Sequence, residues 1–428
     1  MSDDTPQLKV QALADAFAQA GAAGVAAEAA KDSSKLVEIA SQAPVIRLVD
    51  TVLLEAVNRR ASDVHIEAFE REMQIRYRID GRCYQVAQPP KSLALAVASR
   101  IKVLANLDVA ESRMPQDGRM LMAANERQID LRVSTLPTIH GESIVLRVLD
   151  KGSLDKTLAQ LGMEPPVQKA IEELIRLPHG LLLVTGPTGS GKTTTLYACL
   201  TQLNTPERKL ITTEDPVEYD LNGLVQVAVN TKINLGFATC LRSILRHDPD
   251  VIMVGEIRDQ DTAQIAVQAA LTGHLVFSTL HTNDAPGAVT RLLDMGLEPF
   301  LISSTVTGVL GQRLLRTLCP ACRAPYEATA EDLAALRLTA ADLPQPLMRP
   351  VGCDACQGLG YKGRAGSYEM LVMSEGIRSL ILSRASVSDI RAKAREEGMR
   401  TLREDGIAKV CAGLTTVEEM VRETQDYE

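Results

Sequence analysis

Leu181-Leu-Leu-Val-Thr185-Gly186-Pro-Thr-Gly-Ser-Gly-Lys192-Thr193 decides the fold. A short unbroken apolar run fits a strand buried on both faces. It passes directly into a turn of the form G-x-x-x-x-G-K-[ST]. Gly186, Gly189 and Gly191 let backbone N–H groups curl around phosphate oxygens. Lys192 would neutralise the β- and γ-phosphates, and Thr193 would place its hydroxyl on Mg²⁺. Residues 193–203 read as a helix whose positive dipole end points at the anion. Strand, loop and helix in succession favour a phosphate cradle over a glycine-rich loop that only turns the chain. Pro187, Thr188, Ser190 and Thr194 complete the segment expected to touch the nucleotide.

Downstream, apolar runs at 210–211, 251–254 and 275–277 alternate with helical segments. A mostly parallel sheet with crossover helices reads this way. The strand at 210–213 carries Glu214-Asp215-Pro216-Val217-Glu218 to its C-terminal end, where open α/β sheets bind ligands. Carboxylates there can hold Mg²⁺ through water, orient an attacking water, or form a solvated acidic turn. Val251-Ile-Met-Val-Gly-Glu256 is either a second acidic nucleotide motif or a strand ending in an ordinary surface glutamate. Thr272-Gly273-His274 and Leu280-His281-Thr282 flank one apolar strand. Either histidine could sense a γ-phosphate or serve the fold alone. Arg242 and Arg246, spaced i, i+4, are expected on one helix face. Arg132 and Arg147 lie on strands upstream. Such arginines could stabilise a transferring phosphoryl group or form surface ion pairs.

Upstream of residue 150 the pattern changes to an α+β domain. Residues 45–60 have helical spacing, and Met73, Ile75, Tyr77 and Ile79 alternate with polar neighbours as in a half-buried strand. Asp80-Gly81 signals a tight hairpin. A helix is expected over about 92–106, and strands around Ile129–Ser134 and over 143–149 as a pair. Residues 150–166 read as a linker. The first 44 residues form an Ala-rich tail to which no chemistry attaches.

Cys319-Pro-Ala-Cys322 and Cys353-Asp-Ala-Cys356 make C-x₂-C…C-x₂-C, which supplies four thiolates for tetrahedral Zn²⁺. The long spacing between the two pairs requires a looped-out lobe. Four cysteine ligands close the site, so its role is structural. Cys83, Cys199, Cys240 and Cys411 are isolated.

The 428 residues suffice for two or three domains. The net charge of −8 and the 3% aromatic content argue against a nucleic-acid coat or a base-stacking platform. The N-terminus lacks the features of a secretory signal, and no apolar run is long enough to span a bilayer. A cytoplasmic location is therefore expected, with metal binding favoured over disulfides.

Taken together, these segments resemble the secretion ATPase superfamily, in its type II secretion and type IV pilus assembly branch, from about residue 45 to the C-terminus. The phosphate loop, Thr213-Glu-Asp-Pro-Val-Glu218, Leu245-Arg-His-Asp-Pro-Asp250 with Val254-Gly-Glu-Ile-Arg-Asp259, and Thr272-Gly-His with Ser278-Thr-Leu-His-Thr282 resemble its four nucleotide motifs in order. Ala61-Ser-Asp-Val-His-Ile-Glu67 and Pro115-Gln-Asp-Gly-Arg119 resemble its N-terminal domain, and the cysteine quartet its assembly-branch zinc element, which retraction relatives lack.

The resemblance implies an α/β fold: an N-terminal α+β (PAS-like) domain, then a RecA-like P-loop ATPase domain with zinc-binding and helical C-terminal elements. The expected divisions are 1–44, 45–150, 151–315, 316–362 and 363–428. It implies ATP, Mg²⁺ and Zn²⁺ as cofactors. Glu218 becomes the candidate general base, Glu256 the acidic residue of the second motif, and His281 the phosphate contact. Arg132, Arg147, Arg242 and Arg246 become nucleotide-facing arginines. It implies a homo-hexamer that binds no nucleic acid and works peripherally on the cytoplasmic face of the inner membrane. Its expected partners are a platform protein and the cytoplasmic domain of a membrane assembly protein. A DNA translocase or helicase on the same core is the alternative. Two departures stand out: only about 44 residues precede the match, which bears on docking, and Ser367 occupies an expected aliphatic position, with packing as the expected consequence.

Overall fold

The computed structural model describes Val10 and residues 33–124, 127–149 and 156–424. The Ala-rich segment expected over residues 11–30 lies outside them. The chain divides into two compact units, Met1–Ser153 and Leu154–Glu428.

The first unit contains α1 (Ser33–Ala40), α2 (Ala43–Asn58), β1 (Asp63–Ala68), β2 (Met73–Ile79), β3 (Arg82–Ala87), α3 (Ala94–Leu104), β4 (Gln116–Ala124), β5 (Arg127–Thr138) and β6 (Gly141–Leu149). Its sheet runs β3-β2-β1-β6-β5-β4, with every neighbour antiparallel. Helix α2 buries Val45, Leu48, Val49, Val52, Leu53 and Ala56, the stripe its helical spacing dictates. On β2, Met73, Ile75, Tyr77 and Ile79 are the buried side. Asp80 and Gly81 have φ of 47° and 88°, as a tight primed turn requires. β5 and β6 form the expected pair.

The second unit contains α4 (Pro165–Leu174), β7 (Gly180–Thr185), α5 (Lys192–Leu203), β8 (Leu210–Glu214), β9 (Val225–Ala228), α6 (Phe237–Ile244), β10 (Val251–Val254), α7 (Gln260–Leu271) and β11 (Leu275–Leu280). It continues with α8 (Ala285–Asp294), α9 (Pro299–Thr305), β12 (Val306–Leu318), β13 (Ala324–Tyr326), α10 (Ala330–Leu336), β14 (Leu347–Arg349) and β15 (Tyr361–Val372). Four helices close it: α11 (Glu375–Leu382), α12 (Val387–Glu396), α13 (Leu402–Cys411) and α14 (Val417–Glu423).

The central sheet runs β15-β12-β7-β11-β10-β8-β9, parallel throughout except for β15. Alternate side chains of its inner strands enter opposite cores. Leu181, Leu183, Ile252, Val254 and Val276 join one cluster, and Leu182, Val184, Val251, Met253, Leu275 and Phe277 the other. With both faces covered, these strands show as continuous apolar runs.

Strands β12 and β15 extend the sheet where the sequence suggested a cysteine segment and short helices. The divisions expected at 315/316 and 362/363 each fall inside one of these strands. Buried Gln312, Arg313 and Arg316 break the apolar signal of β12. The looped-out lobe is present: β13 and β14 pair antiparallel, and Leu336 and Leu347 pack with Val410, Val417 and Met420. Ser367 does more than pack, because its hydroxyl donates to the Leu402 carbonyl at 2.7 Å and ties β15 to the start of α13.

Candidate nucleotide and metal sites

The phosphate loop lies between the C-terminal end of β7 and the first residue of α5, Lys192. Its three glycines are required for different reasons. Gly186 and Gly191 have φ of 149° and 88°. A Cβ at Gly186 would meet the Gln312 carbonyl oxygen at 2.4 Å, and one at Gly191 would meet Gln312 Nε2 at 2.8 Å. At Gly186 the obstacle is backbone and at Gly191 it is a side-chain amide, so each position is crowded as well as twisted. Gly189 differs: a Cβ there would meet nothing within 4 Å. Its φ of 82° alone calls for glycine, so it shapes the turn without any close neighbour. Pro187 and Thr188 are exposed beside it, and Thr193 and Thr194 are half-buried in the first turn of α5.

Lys192 is buried, and its Nζ donates to the Gly186 and Pro187 carbonyls at 2.8 and 3.0 Å. Burial pushes its ammonium down to about 8, with Glu256 opposing the shift and Arg313 adding to it. The buried Ser190 hydroxyl has no hydrogen-bond partner among the described residues. A backbone cradle, a desolvated lysine and an unsatisfied hydroxyl fit the phosphate chain of a nucleotide.

The ends of the neighbouring strands bring the other groups. Thr185 Oγ1, at the end of β7, accepts from the Thr282 N–H at 3.0 Å, which fastens the loop to the segment after β11. His281 Nε2 lies 3.1 Å from Glu256 Oε2, so the groups just beyond β10 and β11 meet directly. Arg258 pairs with the other Glu256 oxygen. Burial would raise the Glu256 carboxyl, but the hydrogen bonds from Arg258 and His281 outweigh it and hold the group below its ordinary range.

Glu214, expected on the cofactor side, is instead turned into the interior. Its Oε1 accepts from Thr212 Oγ1 at 2.5 Å and Gln226 Nε2 at 3.1 Å, and its Oε2 accepts from the Tyr197 hydroxyl. The carboxylate thus links α5 to β8 and β9. Asp215 is exposed, and Glu218 is half-buried in the segment that follows. The Glu218 backbone hydrogen-bonds the Tyr197 hydroxyl. The base candidate is therefore anchored to the phosphate-loop helix through Tyr197.

Two of the four arginines lie in each unit. Helix α6 ends at Ile244, so Arg246 does not share a helix face with Arg242. Its guanidinium folds back onto the Arg242 carbonyl at 2.9 Å, while Arg242 lies 3.6 Å from Asp261. Arg132 and Arg147 are direct cross-strand partners on β5 and β6 of the first unit, and Arg147 pairs with Asp63 at 3.2 Å. Tyr197, Arg258, Gln312 and Arg313 were not singled out from the sequence. Arg258 falls inside a quoted motif, whereas no sequence pattern marked the other three.

The cysteine tetrad forms at the end of β12. All four Sγ atoms lie within 4.8 Å of one another. The Cys319–Cys353, Cys322–Cys356 and Cys353–Cys356 separations are 3.9, 3.8 and 3.8 Å. Tetrahedral Zn–S bonds of about 2.3 Å place sulfurs about 3.8 Å apart, so the set fits zinc. The N–H groups of Cys353 and Gly360 donate to Cys356 Sγ, each at 3.2 Å. Burial would raise the Cys356 thiol, but these donors hold it down to about 7. Burial pushes Cys322 up to about 11. The thiolate is thus easier to form at Cys356 than at an ordinary cysteine.

These features define a P-loop nucleoside triphosphatase with a tetracysteine element. Residues 38–422 match the family model of the type II/IV secretion system protein. The chain is 52% identical over 400 residues to type II secretion system protein E of Pseudomonas aeruginosa, covering 94% of this chain and 79% of that one. It is 49% identical over 406 residues to the type II secretion system ATPase E of Vibrio cholerae, with 94% and 79% covered. The solved pilus retraction motor PilT with bound ADP superposes with a TM-score of 0.60 at 26% identity, over 88% of this chain and 96% of that one. The Legionella pneumophila ATPase DotB shares the fold with a TM-score of 0.65 at 22% identity, over 87% and 94%. The chain belongs to the type II/IV secretion system protein family, as a secretion or pilus ATPase motor. ATPase chemistry implies use of a nucleotide and Mg²⁺. Nothing in these comparisons supports the DNA-translocase alternative. Among the described residues, no helix is long and apolar enough to cross a membrane.

Proposed function

We propose that the chain hydrolyses MgATP on residues 186–194 as a homo-hexamer powering type II secretion. The observation that carries this is the meeting of Glu256 and His281 at 3.1 Å beside the strand that holds the phosphate loop. Thr193 would hold Mg²⁺, together with Asp215, whose charge is felt by Arg258; the ion neutralises phosphate charge when bound. Backbone N–H groups of the loop, through Gly186, Gly189 and Gly191, take the phosphate oxygens. Lys192 exchanges its two carbonyl partners for phosphate oxygens. Glu218 positions the attacking water, and His281, oriented by Glu256, contacts the γ-phosphate. Arg132 and Arg147, with Arg242 and Arg246, supply positive charge to the transferring group.

The domain divisions follow that chemistry: residues 45–150 as the arginine-bearing domain, an ATPase core from 151 whose sheet takes in β12 and β15, and zinc-binding and helical elements attached to it. Cys319, Cys322, Cys353 and Cys356 hold a structural Zn²⁺. The motor works from the cytoplasmic face of the inner membrane through a platform protein and the cytoplasmic domain of an assembly protein. The names of the relatives favour secretion over pilus assembly.

Replacing Lys192 with alanine in a cell that carries this chain tests the assignment, with secreted protein and surface pili assayed in parallel. Loss of secretion with pili intact is expected. Loss of pili with secretion intact would reassign the motor to pilus assembly, and no effect on either would reject both.

A further inference from the structure

Strand β12 buries polar side chains, whereas β7 beside it is apolar up to its last residue. Gln312 and Arg313 are 2% and 7% exposed, and both lie against the phosphate loop. β12 runs parallel to β7 with Gly311 opposite Thr185, so Gln312 follows beside the first loop residue. Its Oε1 accepts from Thr195 Oγ1, in the first turn of α5, at 2.8 Å. Its backbone oxygen and Nε2 occupy the spaces that forbid side chains at Gly186 and Gly191. Arg313 Nη1 would lie 3.2 Å from a Cβ at Gly186. Its guanidinium donates to the Gln312 carbonyl at 3.1 Å and to the Asn283 carbonyl at 2.8 Å. Asn283 is two residues beyond His281. One dipeptide therefore touches both ends of the phosphate loop, the loop's helix and the segment that carries His281.

We propose that Gln312 and Arg313 are positioning residues for ATP hydrolysis. They hold the phosphate loop and the His281 segment in one fixed relation, so that the γ-phosphate meets the groups that act on it. The proposal rests on the ATP site described above. Apolar side chains would fill the same strand, as they do on β10 and over most of β7, but would make none of these bonds. A buried polar network fixes geometry as long as its members are satisfied. Misplacing a reacting group by about 1 Å costs on the order of 100-fold in rate. Substrate binding depends chiefly on the loop's own backbone and Lys192, which the dipeptide leaves in place.

The test compares Arg313→Gln, Arg313→Lys and Thr195→Val with the unaltered full chain. It measures the ATP turnover number, and separately the equilibrium affinity for Mg·ADP. Positioning predicts that Arg313→Gln lowers kcat by at least about 10-fold while affinity stays within about threefold. Lysine should restore a third or more of the lost turnover, and Thr195→Val should lower kcat about threefold. A folded Arg313→Gln variant with unchanged kcat, or with kcat and affinity reduced equally, would overturn the proposal, as would failure of lysine to rescue. If Arg313→Gln does not fold, Thr195→Val decides by the same split: lowered kcat with kept affinity supports the proposal, and unchanged kcat overturns it. No turnover by the unaltered chain would overturn the ATP assignment itself, and this proposal with it; the same assay shows that result separately.

Discussion

The phosphate loop lies beside the middle of β12 and the cysteine tetrad begins just past its end, and the two are assembled in opposite ways. The tetrad is closed on itself: its four sulfurs come from two short turns, and Cys319 follows the strand directly. The loop is open. Its backbone makes the cradle, but its chemistry arrives from Glu256, His281 and Arg313, each on a different strand or just beyond one. A site made of local turns tolerates change elsewhere in the sheet. A site assembled from strand ends depends on every strand keeping its register. Between the two lies Arg316, which pairs with Glu419 at 2.8 Å and stacks 3.8 Å over the Tyr361 ring, fastening the tetrad end to α14.

That contrast can be broken in order of size. The largest effect is expected at the open site, where Glu218→Gln should lower ATP turnover at least about 100-fold with an unchanged melting temperature. Near-normal turnover would remove Glu218 from the base role. Next, Glu419→Ala leaves the Arg316 charge buried beside the tetrad and should destabilise the second unit by about 3–5 kcal/mol in urea unfolding. Replacing both partners with apolar residues should recover much of that loss. At the closed site, Cys319→Ser should remove bound zinc, read by metal analysis, while nucleotide affinity changes less than stability does. Retention of a full equivalent of zinc would contradict the tetrad.

A smaller, pH-dependent effect belongs to Glu369. It accepts from the Ala285 N–H at 2.7 Å and the Leu402 N–H at 3.4 Å, at the starts of α8 and α13. Burial raises its carboxyl from 4.5 to about 7. The folded state therefore keeps a proton that the unfolded chain has lost, so stability falls as pH rises from 4.5 through about 7. Glu369→Gln should flatten that slope, and an unchanged slope in denaturation across this range would sink the assignment. Smallest of all, Lys169→Ala removes an ion pair of 3.7 Å between exposed side chains and should change stability by less than about 0.5 kcal/mol.

The difference between the sites also governs what the sequence reveals. The loop, the cysteine quartet and the doubly buried strands are local patterns, and each falls where the spacing places it. The Asp80-Gly81 hairpin is local in the same sense. β12 was hidden because Gln312, Arg313 and Arg316 interrupt its apolar run, and those residues are buried only because the fold supplies Thr195, Asn283 and Glu419 from far along the chain. The loop glycines divide along the same line. All three have positive φ, but only Gly186 and Gly191 also have β12, far along the chain, filling the space a side chain would take. Glu214 misleads for a related reason. An acidic residue at a strand end suggests a ligand-facing group, and only the folded chain shows Tyr197, Thr212 and Gln226 around it. Arg246 shows the limit of helical spacing, since α6 ends before reaching it.

The most direct test of the account is phosphate release from ATP with Mg²⁺ by the purified chain, measured beside Lys192→Ala at matched folded concentration. The account predicts steady release by the unaltered chain and release at background from the variant. Equal release from both, or none from the unaltered chain, would contradict it.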